Sequence, residues 1–195
     1  MPRPAIHTED ALLDSARAVV VDRGVRAATI AAVRDVSGAS TGSIYHRFGS
    51  VDEILARAWM RAARRSQDAA LAACTDDPVE TIVQSALAMF DFCVDSPDDA
   101  VLLTTFRRAD FLDADLAPAT RHEVEHLNDP IAGRIRALSR AVFGRADDPG
   151  IDLTLIAVVD LPAAFALRRI QAPTTPTLPY RRRLEAAVRA MLRRT

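Results

Sequence analysis

The chain has 195 residues, 49% of them apolar and 26% charged, which is the make-up of a folded globular protein and excludes a disordered one. That length suffices for one large domain or two small ones. The formal net charge is −1, and all 25 basic residues are arginines, so any nucleic-acid binding must come from a local patch and not from a basic whole.

Cys74 and Cys93 make no spaced framework and read as reduced thiols in a cytoplasmic protein. Glu9, Asp10 and Asp14 interrupt the N-terminus, so no signal peptide is expected there. The most apolar run, Leu153 to Leu167, contains Asp160 and Pro162 and reads as too short to span a bilayer; no membrane partner is expected.

Met1 to His7 reads as a solvated arm whose Arg3 could touch a phosphate. A first helix is expected from Thr8 to about Arg23, stopped by Gly24. Thr29 can cap a second helix in which Ile30, Val33 and Val36 recur at helical spacing, and Ser37-Gly38 closes it. Ser40 or Thr41 caps a short third helix through Phe48. Ser50-Val51-Asp52-Glu53 has the spacing of a capping box, so another helix starts there. Leu12, Ala16, Val20, Val25, Ile30, Val33, Ile44 and Phe48 are the expected core of this three-helix head.

Two short helices joined by a glycine-containing turn make a helix-turn-helix, whose second helix can enter the DNA major groove. Between Asp35 and Asp52 there is no carboxylate to repel phosphates. Ser40, Thr41, Gly42, Ser43, Tyr45, His46 and Arg47 instead offer hydroxyls, amides, an imidazole and a guanidinium. Gly42 removes a side chain where the helix must approach the bases.

Gly24-Val25, Thr29-Ile30, Val36, Gly38, Ser40, Gly42-Ser43-Ile44-Tyr45, Phe48 and Ser50 resemble the N-terminal domain of tetracycline-repressor (TetR) family regulators. The resemblance places DNA contacts on Thr29, Thr41, Gly42, Ser43, Tyr45, His46 and Arg47. It also implies an all-α protein, a bacterial transcription regulator that acts as a homodimer on double-stranded operator DNA and answers to a small molecule. Three positions depart from the family pattern. Val51 stands where a lysine is common, Thr41 where a basic residue is frequent, and Arg34 where alanine is usual.

The helix begun at Ser50 is expected to reach about Ala73, with Arg57, Arg61, Arg64 and Arg65 on one side as a solvated face. After a break at Thr75 to Pro78, a helix from Val79 to Val94 is apolar over a wide arc and should be buried. Met89, Phe90 and Cys93 from it, with Phe106 and Phe111 from a helix over Asp98 to Leu112, are candidate ligand-binding residues. Further helices are expected over Pro118 to Phe143, bent at Pro130, and over Ile151 to Ile170, kinked or loosened by Pro162. Ala172 to Pro179 reads as a rigid linker before a last helix from Tyr180. The expectation is about nine helices: a DNA-binding head over 1–49, and a helical ligand-binding and dimerisation domain over 50–195. The last two helices would meet their twins in a four-helix bundle, as the resemblance implies.

His122-Glu123-Val124-Glu125-His126 matches the H-E-x-x-H pattern of zinc peptidases, with Glu123 as the base. Val124, Leu127, Ile131 and Ile135 share a face nearly opposite both histidines, so the motif should face solvent without a walled cleft. No catalytic residue, metal or cofactor is therefore assigned, and the chain is not expected to be an enzyme. A helical small-molecule-binding module without DNA binding is the other alternative.

Overall fold

The structure is a computed structural model and describes residues 8–171 and 177–193. Among the described residues it is all-α, with no strand. The helices are α1 (Glu9–Arg23), α2 (Ile30–Ser37), α3 (Thr41–Phe48), α4 (Val51–Ala72), α5 (Pro78–Asp95), α6 (Pro97–Thr105) and α7 (Arg108–Leu112). They continue with α8 (Pro118–His126), α9 (Asp129–Phe143), α10 (Asp148–Leu155), α11 (Leu161–Gln171) and α12 (Thr177–Leu192). A 3-10 turn occupies Val25–Ala27, and a π-helical turn, Ile156–Asp160, joins α10 to α11. The arm over residues 1–7 and the linker at 172–176 lie outside the described residues.

The chain divides into two compact units: one holds the chain up to Ala63 together with Val101–Leu127, the other Arg64–Ala100 and the chain from Asn128 onward. In the first unit, Leu12, Ala16, Val20, Ile30, Val33, Ile44 and Phe48 are buried together, as their spacing predicts. Trp59, Leu102, Phe106, Phe111 and Val124 complete that core. Val25 departs from the expectation: it opens the 3-10 turn and is 42% exposed. Val36 is also turned outward, because six residues after Ile30 it has passed round to the far side of the helix.

Of the arginines expected as a solvated face on α4, Arg57, Arg61 and Arg65 are instead engaged in ion pairs. Arg57 reaches Glu9 at 3.2 Å and Glu53 at 2.8 Å, and its guanidinium lies 5.6 Å over the Phe48 ring. Arg61 pairs with Asp10 at 2.8 Å and with Asp14. Burial lowers the proton affinity of Arg57 and Arg61, but their carboxylate partners more than restore it, so both are held above the ordinary arginine value. Within the second unit, Arg65 pairs with the buried Asp99 at 2.6 Å.

The second unit is built on α5, whose Ile82, Val83, Ala86, Leu87 and Phe90 are fully or almost fully buried. Ala157, Val158, Ala166, Leu184 and Val188 from the later helices join them in one core. Arg181 to Asp91, at 3.1 Å, and Arg189 to Glu80, at 2.9 Å, tie α12 to α5.

Two expected helices are divided and a third is loosened. The Asp98 to Leu112 segment breaks at Phe106 and Arg107, because Arg107 is extended and the Asp110 carboxylate accepts its amide at 2.7 Å to start α7 afresh. The Pro118 to Phe143 segment breaks at Leu127 and Asn128 instead of bending; Pro130 has no N–H to give the preceding turn and sits where a new helix tolerates it. Pro162 does loosen its helix, since the π turn just before it widens the backbone where the ring would crowd a carbonyl. The last helix starts at Thr177, ahead of the expected Tyr180. The continuous helical stretch Asp148–Gln171, at 24 residues, is long and apolar enough to cross a membrane by length and composition alone, contrary to the expectation from the shorter run.

Candidate nucleic-acid interface

Local chemistry fixes the two helices of the head. Thr29 Oγ1 accepts the Ala32 amide at 3.1 Å to start α2, and Gly38, at φ 71°, ends it in the left-handed conformation that a side chain would resist. Of the two candidate caps for α3, Ser40 does the work, its Oγ accepting the Ser43 amide at 3.1 Å. Thr41 is then the first helical residue, so its hydroxyl is not needed as the cap. Ile44 and Phe48 point inward and anchor α3 to the core.

The remaining residues of α3 form its outer side. Thr41, Gly42, Ser43, Tyr45 and His46 are exposed, Tyr45 to 52%, and Arg47 is half-buried. Thr29 and Ser40 are exposed as well, but their oxygens already serve as caps. A Cβ added at Gly42 would meet nothing within 4 Å, so the chain's own packing does not call for glycine there. At Gly150, by contrast, a Cβ would come within 2.6 Å of Ser139 Oγ. Asp35, the nearest carboxylate before the turn, is paired with Arg34 at 2.6 Å, which offsets its charge on the surface. Val51 packs partly buried against the core of the unit.

Glu53 takes only half of the expected capping box. Ser50 Oγ accepts the Glu53 amide at 3.0 Å, but the Glu53 carboxylate turns inward. There it accepts the Ala117 amide at 3.1 Å, the Thr120 hydroxyl and Arg57, and it is 2% exposed. Ala117 and Thr120 belong to the first turn of α8, which has no side-chain cap of its own. Glu53 supplies that cap from α4.

The candidate ligand residues fall into two cores. Phe106 and Phe111 stand in the first unit with ring centroids 5.2 Å apart, and Phe111 is 5.2 Å from the ring of Trp59. Met89, Phe90 and Cys93 belong to the core of the second. Burial pushes the Cys93 thiol up to about 11. Trp59, which sequence pattern does not single out, has its indole Nε1 buried without a hydrogen-bond partner. As the only tryptophan in the chain, set in an apolar helix face, it offered a sequence signal that core packing alone accounted for.

His122 and His126 are exposed, as their helical phase predicts, and Glu125, not Glu123, shares their face. Glu123 is exposed as well, so all three residues of the peptidase pattern lie at the surface.

Residues 12–58 match the family model described as bacterial regulatory proteins, tetR family. No curated protein matches the chain in sequence. Solved structures match it along nearly its whole length. A TetR-like transcriptional regulator from a Rhodococcus species is 20% identical, with a TM-score of 0.69 over 96% of each chain. A TetR-family regulator from Marinobacter aquaeolei is 16% identical, with a TM-score of 0.72 over 94% of this chain and 93% of that one. A ketosteroid transcriptional regulator of Mycobacterium tuberculosis is 18% identical, with a TM-score of 0.63 over 94% of this chain and 92% of that one. Residues 12–58 thus carry the N-terminal domain of the tetR family of bacterial regulatory proteins, and the chain shares its all-α fold with solved TetR-family regulators.

Proposed function

We propose that the chain is a ligand-responsive repressor that binds a near-palindromic operator as a homodimer and is released by a small apolar or aromatic molecule. The observation that carries the DNA-binding part is the outer side of α3. Its hydroxyls, imidazole and phenol are exposed, Asp35 just before the turn is paired with Arg34, and the gap at Gly42 serves nothing within the chain. Close approach to a base edge or a sugar–phosphate strand gives that gap a use. On this reading residues 1–49 are the DNA-binding head and 50–195 the ligand-binding and dimerisation part. Thr29 and Ser40 hold the backbone in register, while Thr41, Gly42, Ser43, Tyr45, His46 and Arg47 meet the DNA.

Dimerisation is supported by the later helices. Of the most apolar 18 residues within Asp148–Gln171 only 33% are buried in a single chain, and Leu155 and Leu178 are exposed. A second copy covering these surfaces would remove them from water and set two α3 helices at half-sites about one turn of DNA apart. The effector reading is supported by apolar side chains at Met89, Phe90 and Cys93, and by Phe106 and Phe111 beside the unpartnered Trp59 N–H. An aromatic or apolar molecule carrying one acceptor would suit the latter group. Release requires only that the effector bind one dimer form better than the other, typically by about 1–3 kcal/mol.

The test is binding of the full chain to the DNA immediately upstream of its own gene, in the presence of excess unrelated DNA. A complex that resists the competitor, contains two chains and is weakened roughly ten-fold by Tyr45→Ala supports the reading. A complex that unrelated DNA removes contradicts it.

A further inference from the structure

Three side chains that the regulator reading leaves unused meet on the last turn of α8. His122, Glu125 and His126 stand at i, i+3 and i+4, and so share one strip of the helix surface. One potential ligand atom from each lies within 4.8 Å of the other two, and all three residues are exposed. The imidazole rings are already side by side, with centroids 4.1 Å apart. Nδ1 of His126 lies 2.8 Å from the main-chain carbonyl of His122. A carbonyl oxygen can only accept, so Nδ1 donates, and in the neutral ring Nε2 keeps its lone pair for a metal. Metal-binding histidines are commonly fixed this way, with a carbonyl on the nitrogen remote from the ion.

The local charge is compatible with a cation. His126 ends α8, where the last carbonyls of a helix leave a partial negative charge. Arg108 stands near, but its Nη1 donates to the Glu125 carbonyl oxygen at 3.0 Å and so is directed at the main chain. Glu123, the residue a peptidase would need, is not a member of the trio.

The geometry points to a surface site for one divalent ion of the later first row, such as zinc, nickel or copper. Its ligands are an imidazole nitrogen of His122, a carboxylate oxygen of Glu125 and Nε2 of His126. Two imidazoles with one carboxylate favour such ions over magnesium or calcium, which take oxygen ligands. Metal–ligand bonds of about 2.0–2.2 Å draw the three donors closer than they stand now, and exposed side chains can turn to allow it. The remaining coordination positions go to water. The ion would staple the last turn of α8, next to the break before α9.

The site is tested with untagged full-length protein, stripped of metal by a chelator and titrated with zinc against a chromophoric competitor. The expected result is one zinc per chain with micromolar affinity, weakened roughly ten-fold or more in His122→Ala and in His126→Ala. Glu125→Gln should weaken it less, while Glu123→Gln and His46→Ala should leave it unchanged. Zinc should also raise the melting temperature of the parent protein and not that of the double histidine variant. All these substitutions are at exposed positions, and circular dichroism confirms that the fold is kept. Absence of stoichiometric uptake at micromolar zinc overturns the site, as does uptake that survives the double variant. Loss on Glu123→Gln equal to that on His126→Ala would overturn the assigned ligand set. None of these outcomes depends on operator binding.

Discussion

Glu53 Oε2 accepts a hydrogen bond from the Ala117 amide at 3.1 Å, joining the first turn of α4 to the N-terminus of α8 across 64 residues of sequence. The same carboxylate takes the Thr120 hydroxyl and Arg57, and Arg57 in turn reaches Glu9 on α1 and covers Phe48 on α3. One buried acid thus ties α1, α3 and α4 to the segment Val101–Leu127 within the first compact unit.

Glu53→Ala should therefore destabilise the first unit by about 2 kcal/mol or more, because it leaves a buried amide and hydroxyl without an acceptor. Urea unfolding followed by Trp59 fluorescence measures this directly, since the chain has a single tryptophan and it lies in that unit. A change within error of zero would mean that water or another acceptor replaces the carboxylate.

Gly42→Ala separates folding from DNA binding. The added methyl meets nothing in the chain, and alanine favours a helix interior by up to ~1 kcal/mol over glycine, so stability should hold or rise. Affinity for DNA should nevertheless fall, as it should by roughly ten-fold in Tyr45→Ala if the phenol meets a phosphate. Unchanged binding in both variants would show that α3 does not face the groove.

The hydrogen bond from Arg189 holds the Glu80 carboxyl below its ordinary value, with Gln84 adding to the effect. A depressed folded-state value stabilises the native form at pH above the ordinary carboxylate range, and that contribution is lost as pH falls through the folded value. Arg189→Gln should return Glu80 towards the ordinary value in an NMR titration and flatten part of the acid limb of stability. Both side chains are about one-third exposed, so the effect should be modest and shrink in high salt. An unmoved Glu80 titration would remove Arg189 as the cause.

Cys93 is buried and its thiol is pushed up to about 11, while Cys74 is exposed. Iodoacetamide at pH 8 should label Cys74 and spare Cys93 until the protein unfolds, as mass spectrometry of the peptides would show. Equal labelling of the native protein would mean that the core around α5 opens readily.

The head was readable from sequence because its signals are local. Thr8, Thr29, Ser40 and Ser50 each accept an amide at a helix start, and Gly24 and Gly38 sit at helix ends. Tertiary choices were not readable in the same way. Glu53 had the spacing to cap its own helix, yet a distant amide and hydroxyl won its carboxylate. Val25 was apolar in a plausible core position, but the 3-10 turn carried it outward. The breaks at Arg107 and at Asn128 depend on which of several polar groups and prolines ends a helix, a competition that periodicity does not resolve. On the interface, sequence pattern named the exposed row of α3. Only the structure showed that Gly42 is not required by packing, that Arg34 offsets Asp35, and that the Trp59 N–H is unpartnered.

The most direct test of the account is the affinity of the full chain for its own upstream DNA, measured over a range of salt concentrations beside an unrelated fragment of equal length. Tight, sequence-selective binding is expected, with the logarithm of affinity falling linearly with the logarithm of salt, because arginine guanidinium groups displace counterions at the phosphates. Weak binding that does not distinguish the two fragments would contradict it.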